Sequence, residues 1–456
     1  MKKRMLFIIA GLLLFIVSCQ KEKDATVPNT MFQKAGRSNE FNGHLQQTKV
    51  FSSEPVLKWI DMQLRLIRTT SIAPPMMHAR FYGYIGLALY EAVVPGMPAY
   101  QSLSGQLSMP SMPTTEPGFA YHWPTSANAA LAYMNRNFFS TTSAANKASI
   151  DSLENALNAA FQQETNPAVF SRSVNFGKAV AQAVFNWAQT DGFNASNPVY
   201  TPPGLQPNAP AGLWVPTPPN FPGAAGPYWG NNRTIVPGSL EGSAPPAFFT
   251  YSTNPSSDYY KAQQEVYTLS QNLTAAQIAQ AAYYRDAPGY PGGAHYIAIL
   301  GQVLQKEDTK LDKSALAFVQ TGIAVSDALV GCWKVKYTAN IERPISYIRN
   351  VLGHSGWNAQ FNTPGHPDYP SGHSTGAGAF EVMMTGLFGE NYQFTNHTYD
   401  YLGMPPQSYS SFSELSVAIG MSRVYGGIHT RFACEEGTKQ GKKIAHNILS
   451  KVQFVK

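Results

Sequence analysis

Charge is scarce in this 456-residue chain, where Asp, Glu, Lys and Arg together make up 13%. With so few cations to neutralise phosphates, a nucleic-acid binder is excluded. Cysteine is scarcer still, three in all, which rules out a small disulfide-framed scaffold. No strand-like alternation appears, no repeat recurs at a fixed period, and after Val17 no run is apolar and long enough to span a bilayer. The chain is rich in apolar residues, 44% hydrophobic and 12% aromatic. That suffices for one or two large cores and excludes disorder and collagen.

Lys2, Lys3 and Arg4 precede an apolar run from Met5 to Val17 and then Ser18-Cys19, the layout of a signal peptide. Ile16-Val17-Ser18-Cys19 resembles a bacterial lipoprotein signal box. The resemblance implies removal of residues 1–18, acylation of Cys19, and export to the periplasmic or cell-surface side of a bacterial membrane, held there by the lipid alone. Without the three leader cations the chain has 30 basic against 27 acidic side chains, or +3. This excess is compatible with a focused anion pocket but does not require one. Residues 19–50 are polar, as suits a flexible tether. Cys332 and Cys434 then remain, able to pair or to stay reduced.

From 51 to 456 the periodicity is helical. Leu57, Ile60, Leu64 and Ile67 mark one face, and Ala79 to Val94 forms a second apolar helix. Further helices are predicted over about 126–139, 143–163 and 169–189, the last stopped by Gly192, and over about 256–273, 275–285, 294–306, 313–334, 372–388, 411–422 and 436–451. Between them, residues 198–248 carry Pro202-Pro203, Pro218-Pro219 and Pro245-Pro246 among Gly, Asn, Trp214 and Trp229. That stretch is irregular, either a surface loop or an ordered segment wrapped over the helices. The fold class is all-α, a helical bundle with long irregular Pro-rich loops, and no linker divides it.

Chemistry concentrates in 333–433. Lys336 and Arg343 in KYTANIERP are seven apart, two helical turns, and so are expected on one helix face. Pro370-Ser371-Gly372-His373 opens an apolar helix, whose first amides and dipole suit an oxyanion while His373 gives or takes a proton. In SRVYGGIH, Gly426-Gly427 lets the chain turn His429 back toward Arg423. Two arginines, a lysine, backbone amides and two imidazoles suit a tetrahedral oxyanion that becomes trigonal bipyramidal.

In this order, K-x6-RP, PSGH and SR-x5-H resemble the tripartite signature of the type 2 phosphatidic acid phosphatase and vanadium haloperoxidase superfamily. The resemblance implies that Lys336, Arg343, Ser371, Gly372 and Arg423 hold the oxyanion. His429 makes the covalent bond, to vanadium or to phosphorus, and His373 handles protons. Trp333-Lys334-Val335-Lys336 is similar to the Trp-Lys-x-Lys opening of vanadium chloroperoxidases, which implies a halide pocket at Trp333, unless the indole is a core aromatic. His366 stands where bromoperoxidases tend to carry histidine and chloroperoxidases phenylalanine, unless it is a surface imidazole. Asp286-Ala287-Pro288-Gly289-Tyr290 ahead of His295 also looks like secreted haloperoxidase-like proteins.

One position departs from the pattern. Many phosphatase members carry aspartate four residues after the histidine matching His429, and here Ala433 stands there. Unless Glu435, Glu436 or a backbone carbonyl orients His429, this favours vanadate as cofactor, since a ligating imidazole needs only a carbonyl partner. The expected function is a vanadate-dependent haloperoxidase using hydrogen peroxide and bromide or iodide, with Lys336 polarising the peroxide and chloride activity negligible. The alternative is an acid phosphatase that takes a phosphoester through a phosphohistidine on His429. A non-enzymatic binding lipoprotein ranks last, because every principal residue is present.

Overall fold

In the computed structural model, the described residues are 46–70, 75–286 and 295–456. The signal peptide, Cys19, most of the tether and Ala287–Tyr290 lie outside them. Thirteen α-helices are described: α1 (Glu54–Thr69), α2 (Pro75–Val93), α3 (Trp123–Phe138), α4 (Ala144–Phe161), α5 (Pro167–Ala188), α6 (Asp258–Ser270), α7 (Ala275–Tyr283), α8 (His295–Lys306), α9 (Leu311–Ala339), α10 (Pro344–Asn350), α11 (Gly372–Phe388), α12 (Phe412–Tyr425) and α13 (Arg431–Lys451). Two strands the periodicity did not show, Phe394–Asn396 and Gln407–Tyr409, form an antiparallel hairpin. At three residues each they are too short to leave an alternation.

Local chemistry sets many of the helix starts. Ser143, Asn166, Ser257, Thr274, Ser371, Ser411 and Thr430 each cap a helix by accepting the amide three residues on. On α1 the buried stripe is Val56, Trp59, Ile60, Gln63, Leu66 and Ile67, with Leu57 and Leu64 half-buried on its flank. Gln46–Val50, placed with the tether by composition, already joins the body: Trp123 Nε1 donates to Gln46 O at 2.7 Å and Thr48 Oγ1 to Val93 O at 2.9 Å.

The pillar of the body is α9. Its 29 residues are long and apolar enough to cross a membrane, contrary to the expectation that no further segment would be, but that apolar stretch is wholly buried. It packs against α2, α8, α11 and α13. Burying roughly 25 cal/mol per Å² of apolar surface on every face makes it a core helix. Cys332, on this helix, and Cys434 are both buried and free, so they do not pair.

The Pro-rich stretch is the ordered wrap. Trp214 is fully buried, and its amide donates to Asn340 O at 2.8 Å. Ala225 N donates to Gly365 O at 2.7 Å. Its firmest anchor is Asp327, buried on α9, which accepts Ile235 N at 2.7 Å, Val236 N at 3.0 Å and Ser239 Oγ at 2.8 Å. Burial lifts the Asp327 carboxyl to about 7 against the pull of those three donors. Asp327→Ala would strand three buried donors, so a loss of about 3 kcal/mol in denaturant unfolding is expected, and roughly half that for Asp327→Asn, which keeps one oxygen.

Candidate active site

Asn340 ends α9 in the left-handed region, φ 52, and reverses the chain so that Arg343 becomes the extended N-cap of α10. Lys336 and Arg343 therefore do not share a helix face. They converge because the chain breaks between them. Lys336 Nζ donates to Pro367 O at 2.8 Å and Asp368 O at 3.0 Å. Arg343 Nε donates to His366 O at 2.6 Å and its Nη1 to Ile428 O at 2.6 Å. Both are fully buried. Burial lowers Lys336 to about 7 and Arg343 to about 10, each cation also repelled by a neighbouring arginine.

The second motif opens α11. Ser371 Oγ caps the helix, 3.4 Å from Ser374 N, and Ser371 N donates to Ala433 O at 2.9 Å. Gly372 must stay small, since a Cβ there would stand 2.9 Å from Cζ3 of Trp333. His373, one residue into the helix, lies 3.5 Å from Asp286 by its Nε2. Burial and the Arg423 charge lower the His373 pKa against the pull of Asp286. Burial raises Asp286, but His373, Arg423 and His78 outweigh it and hold the carboxyl below its usual range.

The third motif ends α12. Arg423 donates to Tyr284 O, and its Nε is buried without a partner. Gly427, at φ 74, supplies the turn that returns His429 to the floor of the site. There the carboxylate absent at 433 arrives from elsewhere. His429 Nδ1 is 2.6 Å from Asp368 Oδ1, while Asp368 Oδ2 accepts Thr430 Oγ1 at 3.0 Å.

Neither Glu435, which is exposed, nor Glu436, paired with Lys439 at 2.6 Å, nor a carbonyl orients this imidazole. Ala433 packs instead in an apolar cluster with Phe248 and Tyr369. Burial raises Asp368 to about 6, with Arg343 and Lys336 opposing. The carboxylate accepts from His429 and Thr430 together, so Nδ1 carries the imidazole proton and Nε2 keeps its lone pair. Arg343 Nη1 lies 3.2 Å from that Nε2. Burial, Arg343 and Lys336 all push His429 well below 6.5, so it stays neutral.

Sequence reasoning missed Asp368 because its partner lies 61 residues away. Its signal was position alone, two residues ahead of Pro370 in HPDYPSGH. Asp286 and His295, quoted only for resemblance, both line the site. His295 is neutral, pushed to about 3 by burial and His373, with Nδ1 3.1 Å from Tyr399 OH.

A cavity of about 350 Å³ is lined by Trp333, His366, Gly372, His373, Arg423 and His429 among others, whereas Lys336, Arg343 and Ser371 are fully buried and do not line it. Trp333 is both core and wall: 5% exposed, its Nε1 donating to Ala225 O at 3.1 Å. His366 is no surface imidazole. Its ring tilts over Trp333 at 5.1 Å, and Nδ1 lies 3.0 Å from Arg343 Nη2. Burial and the two cations push its pKa well below 6.5. Among the described residues no group of three or more His, Cys, Asp or Glu could hold a bare metal ion. The donors present are cations, amides and one imidazole lone pair, which is chemistry for an oxyanion.

Residues 316–455 match the VCPO second helical-bundle domain family. The whole body superposes on the crystal structure of the first bacterial vanadium-dependent iodoperoxidase, with TM-score 0.77 and 27% identity, over 89% of this chain and 97% of that one. Together the family match over 316–455 and the likeness to the iodoperoxidase support the vanadium haloperoxidase and type 2 phosphatidic acid phosphatase superfamily. A holo-type bacterial vanadium-dependent chloroperoxidase shares the fold at TM-score 0.64 and 17% identity, over 84% of this chain and 93% of that one. Its apo-type counterpart does so at 0.61 and 16%, over 84% and 95%. No curated protein matches significantly.

Asp368 is expected to set the tautomer of His429. Asp368→Asn should weaken orthophosphate and vanadate binding by about 10- to 100-fold in calorimetry and shift the His429 ring nitrogens in 15N spectra. Unchanged affinity with an unchanged ring spectrum would mean that Asp368 only supports the loop.

Proposed function

We propose that the protein is a vanadate-dependent haloperoxidase, exported and lipid-anchored through Cys19, that oxidises bromide or iodide with hydrogen peroxide. The observation that carries the haloperoxidase part of this reading is the likeness to an iodoperoxidase over 89% of this chain. The pocket suits vanadate: His429 Nε2 offers a lone pair, and Arg423 Nε is a buried donor without a partner. His429 would ligate the metal through Nε2, while Lys336, Arg343, Ser371, Gly372 and Arg423 would hold the oxygens. Bound vanadate would supply the centre at which peroxide oxidises halide.

The protein's own part is binding and proton handling. Asp368 keeps the His429 proton on Nδ1, so Nε2 is available whenever Arg343 turns its Nη1 to an oxyanion oxygen. His373, 3.5 Å from Asp286 by its Nε2, would take a proton from peroxide and later give it back. Lys336, whose Nζ donates to the carbonyls of Pro367 and Asp368, would polarise bound peroxide. In the tautomer that leaves Nδ1 unprotonated, His366 accepts one Arg343 N–H and so shares charge that would otherwise raise the oxidising power of the site; in the other, Nδ1 donates to Pro367 O at 3.2 Å. This supports bromide and iodide over chloride.

One observation favours a second reading. The Asp368 carboxylate on His429 is what a nucleophilic imidazole requires, so Ala433 no longer counts against a phosphatase. There His429 would displace an alcohol from a phosphoester, His373 would protonate that alcohol, and water would hydrolyse the phosphohistidine.

Assays with peroxide plus each halide, and with p-nitrophenyl phosphate, separate the two. Halide turnover without phosphatase turnover is expected, and chloride rates equal to bromide would show that His366 does not govern the pocket. His429→Ala should abolish vanadate binding with the fold intact, whereas His373→Ala should keep vanadate and lose about 100-fold or more in turnover. Loss of both binding and turnover in His373→Ala would exchange the roles of ligand and base.

A further inference from the structure

Tyr284 lines the active-site cavity, and its hydroxyl meets that of Tyr409, which lines a second hollow. This groove has a volume of about 940 Å³, shares no lining residue with the cavity, and is built by α8, the β-hairpin and the start of α12. Val303, Phe394 and Tyr409 form its buried floor, while Gln305, Gln393, Ser408 and Ser410 stand exposed around it. Hydrogen bonds among its own walls hold its shape. Within the hairpin Phe394 pairs with Tyr409 and Thr395 with Ser408, whose hydroxyls lie 3.0 Å apart. His397 N donates to Gln302 Oε1 at 2.9 Å and so ties the hairpin to α8.

The charges on these walls are already spent. Lys306, the one lysine or arginine in the lining, donates to Gln393 O at 2.5 Å and lies over the Tyr392 ring at 4.6 Å. Glu414, the one carboxylate, accepts Ser410 N and Ser410 Oγ, both at 2.6 Å. What is left for a ligand is uncharged: the side-chain amides of Gln305 and Gln393, which bond to no described residue, and the hydroxyls of Thr395 and Ser408. An amide sets a donor beside an acceptor, which complements a hydroxyl that is both. An ionic ligand finds no unspent partner, and a wholly apolar one would strip water from the amides without replacing it. We propose that the groove binds a neutral oligosaccharide, its hydroxyls on the amides of Gln305 and Gln393 and its C–H faces on the floor of Phe394 and Tyr409. The volume lies at the upper end of the range of about 300–1,000 Å³ usual for ligand sites, and the exposed rim lets a sugar chain continue past it. The site is independent of the reaction performed at the cradle. It holds the enzyme on a glycan, with the contact between Tyr409 and Tyr284 placing the cavity wall behind the bound sugar.

The test is saturation-transfer NMR with maltotetraose, cellotetraose, laminaritetraose and xylotetraose as neutral probes and tetragalacturonate as the charged control. At least one neutral probe is expected to bind with a Kd below about 10 mM, and tetragalacturonate is expected not to. Gln305→Ala and Gln393→Ala should each weaken that probe by about three- to tenfold, and Ser408→Trp, which fills the groove, should abolish its signal. Orthophosphate affinity, read by calorimetry, should stay within about twofold in every variant, since the cradle is remote from these side chains. No neutral probe bound at about 10 mM, tetragalacturonate bound in their place, or a signal that survives Ser408→Trp would overturn the site. So would unchanged affinity in the Gln305→Ala/Gln393→Ala double variant, whose two changes lie on the surface and leave the fold intact.

Discussion

The basic side chains of Lys336, Arg343 and Arg423 are buried with two carboxylates close by, Asp368 and Asp286, and the rest of the site is arranged to make this possible. Isolated charges at such depth would be strongly disfavoured. The structure offsets this with backbone oxygens: Lys336 takes the carbonyls of Pro367 and Asp368, Arg343 those of His366 and Ile428, and Arg423 that of Tyr284. Each carbonyl belongs to a loop, so the cations fix the loops as much as the loops fix the cations. An oxyanion entering this field is attracted by charge that is already desolvated and oriented.

The same field explains the imidazoles. His429, His366 and His373 are all pushed toward the neutral form by burial and by neighbouring cations. A neutral imidazole next to an arginine can accept a hydrogen bond, which His429 does from Arg343. The tautomer is decided on the far side of His429, where Asp368 claims Nδ1. The cradle therefore holds a lone pair ready at Nε2 without any protonation step, a requirement shared by a metal ligand and a phosphorus nucleophile.

The helical fold was legible because amphipathic periodicity and caps are local. Ser371 before an apolar run announces α11, and the periodicity over 313–334 announces α9, although its apolar length was underrated and its end at Ala339 was read short. The site was legible as a set of residues and not as a geometry. Lys336 and Arg343 were the right pair joined by the wrong element, since nothing in TANIE shows that Asn340 leaves the helix. Asp368 was hidden for a deeper reason. An orienting carboxylate needs to be close in space, and many chain positions satisfy that, so its place four residues after His429 in relatives was one solution among several.

What separates the two chemistries of this superfamily therefore lies outside the cradle, which serves both. The phosphatase and haloperoxidase readings share the cations, the amides, the lone pair and, with Asp368, the carboxylate. They differ in what approaches from above: a phosphoester brings its own leaving group, whereas a halide and peroxide need a sheltered space in which a reactive product meets its acceptor. Here that space is roofed by prolines anchored to α9 through Asp327 and to the His366 loop through Gly365. A proline wall cannot rearrange into helix or strand, and it loses little further freedom on folding, so it holds its shape whether or not a ligand fills it. The segment with the least regular structure is thus the part of the fold best suited to choose between the two reactions.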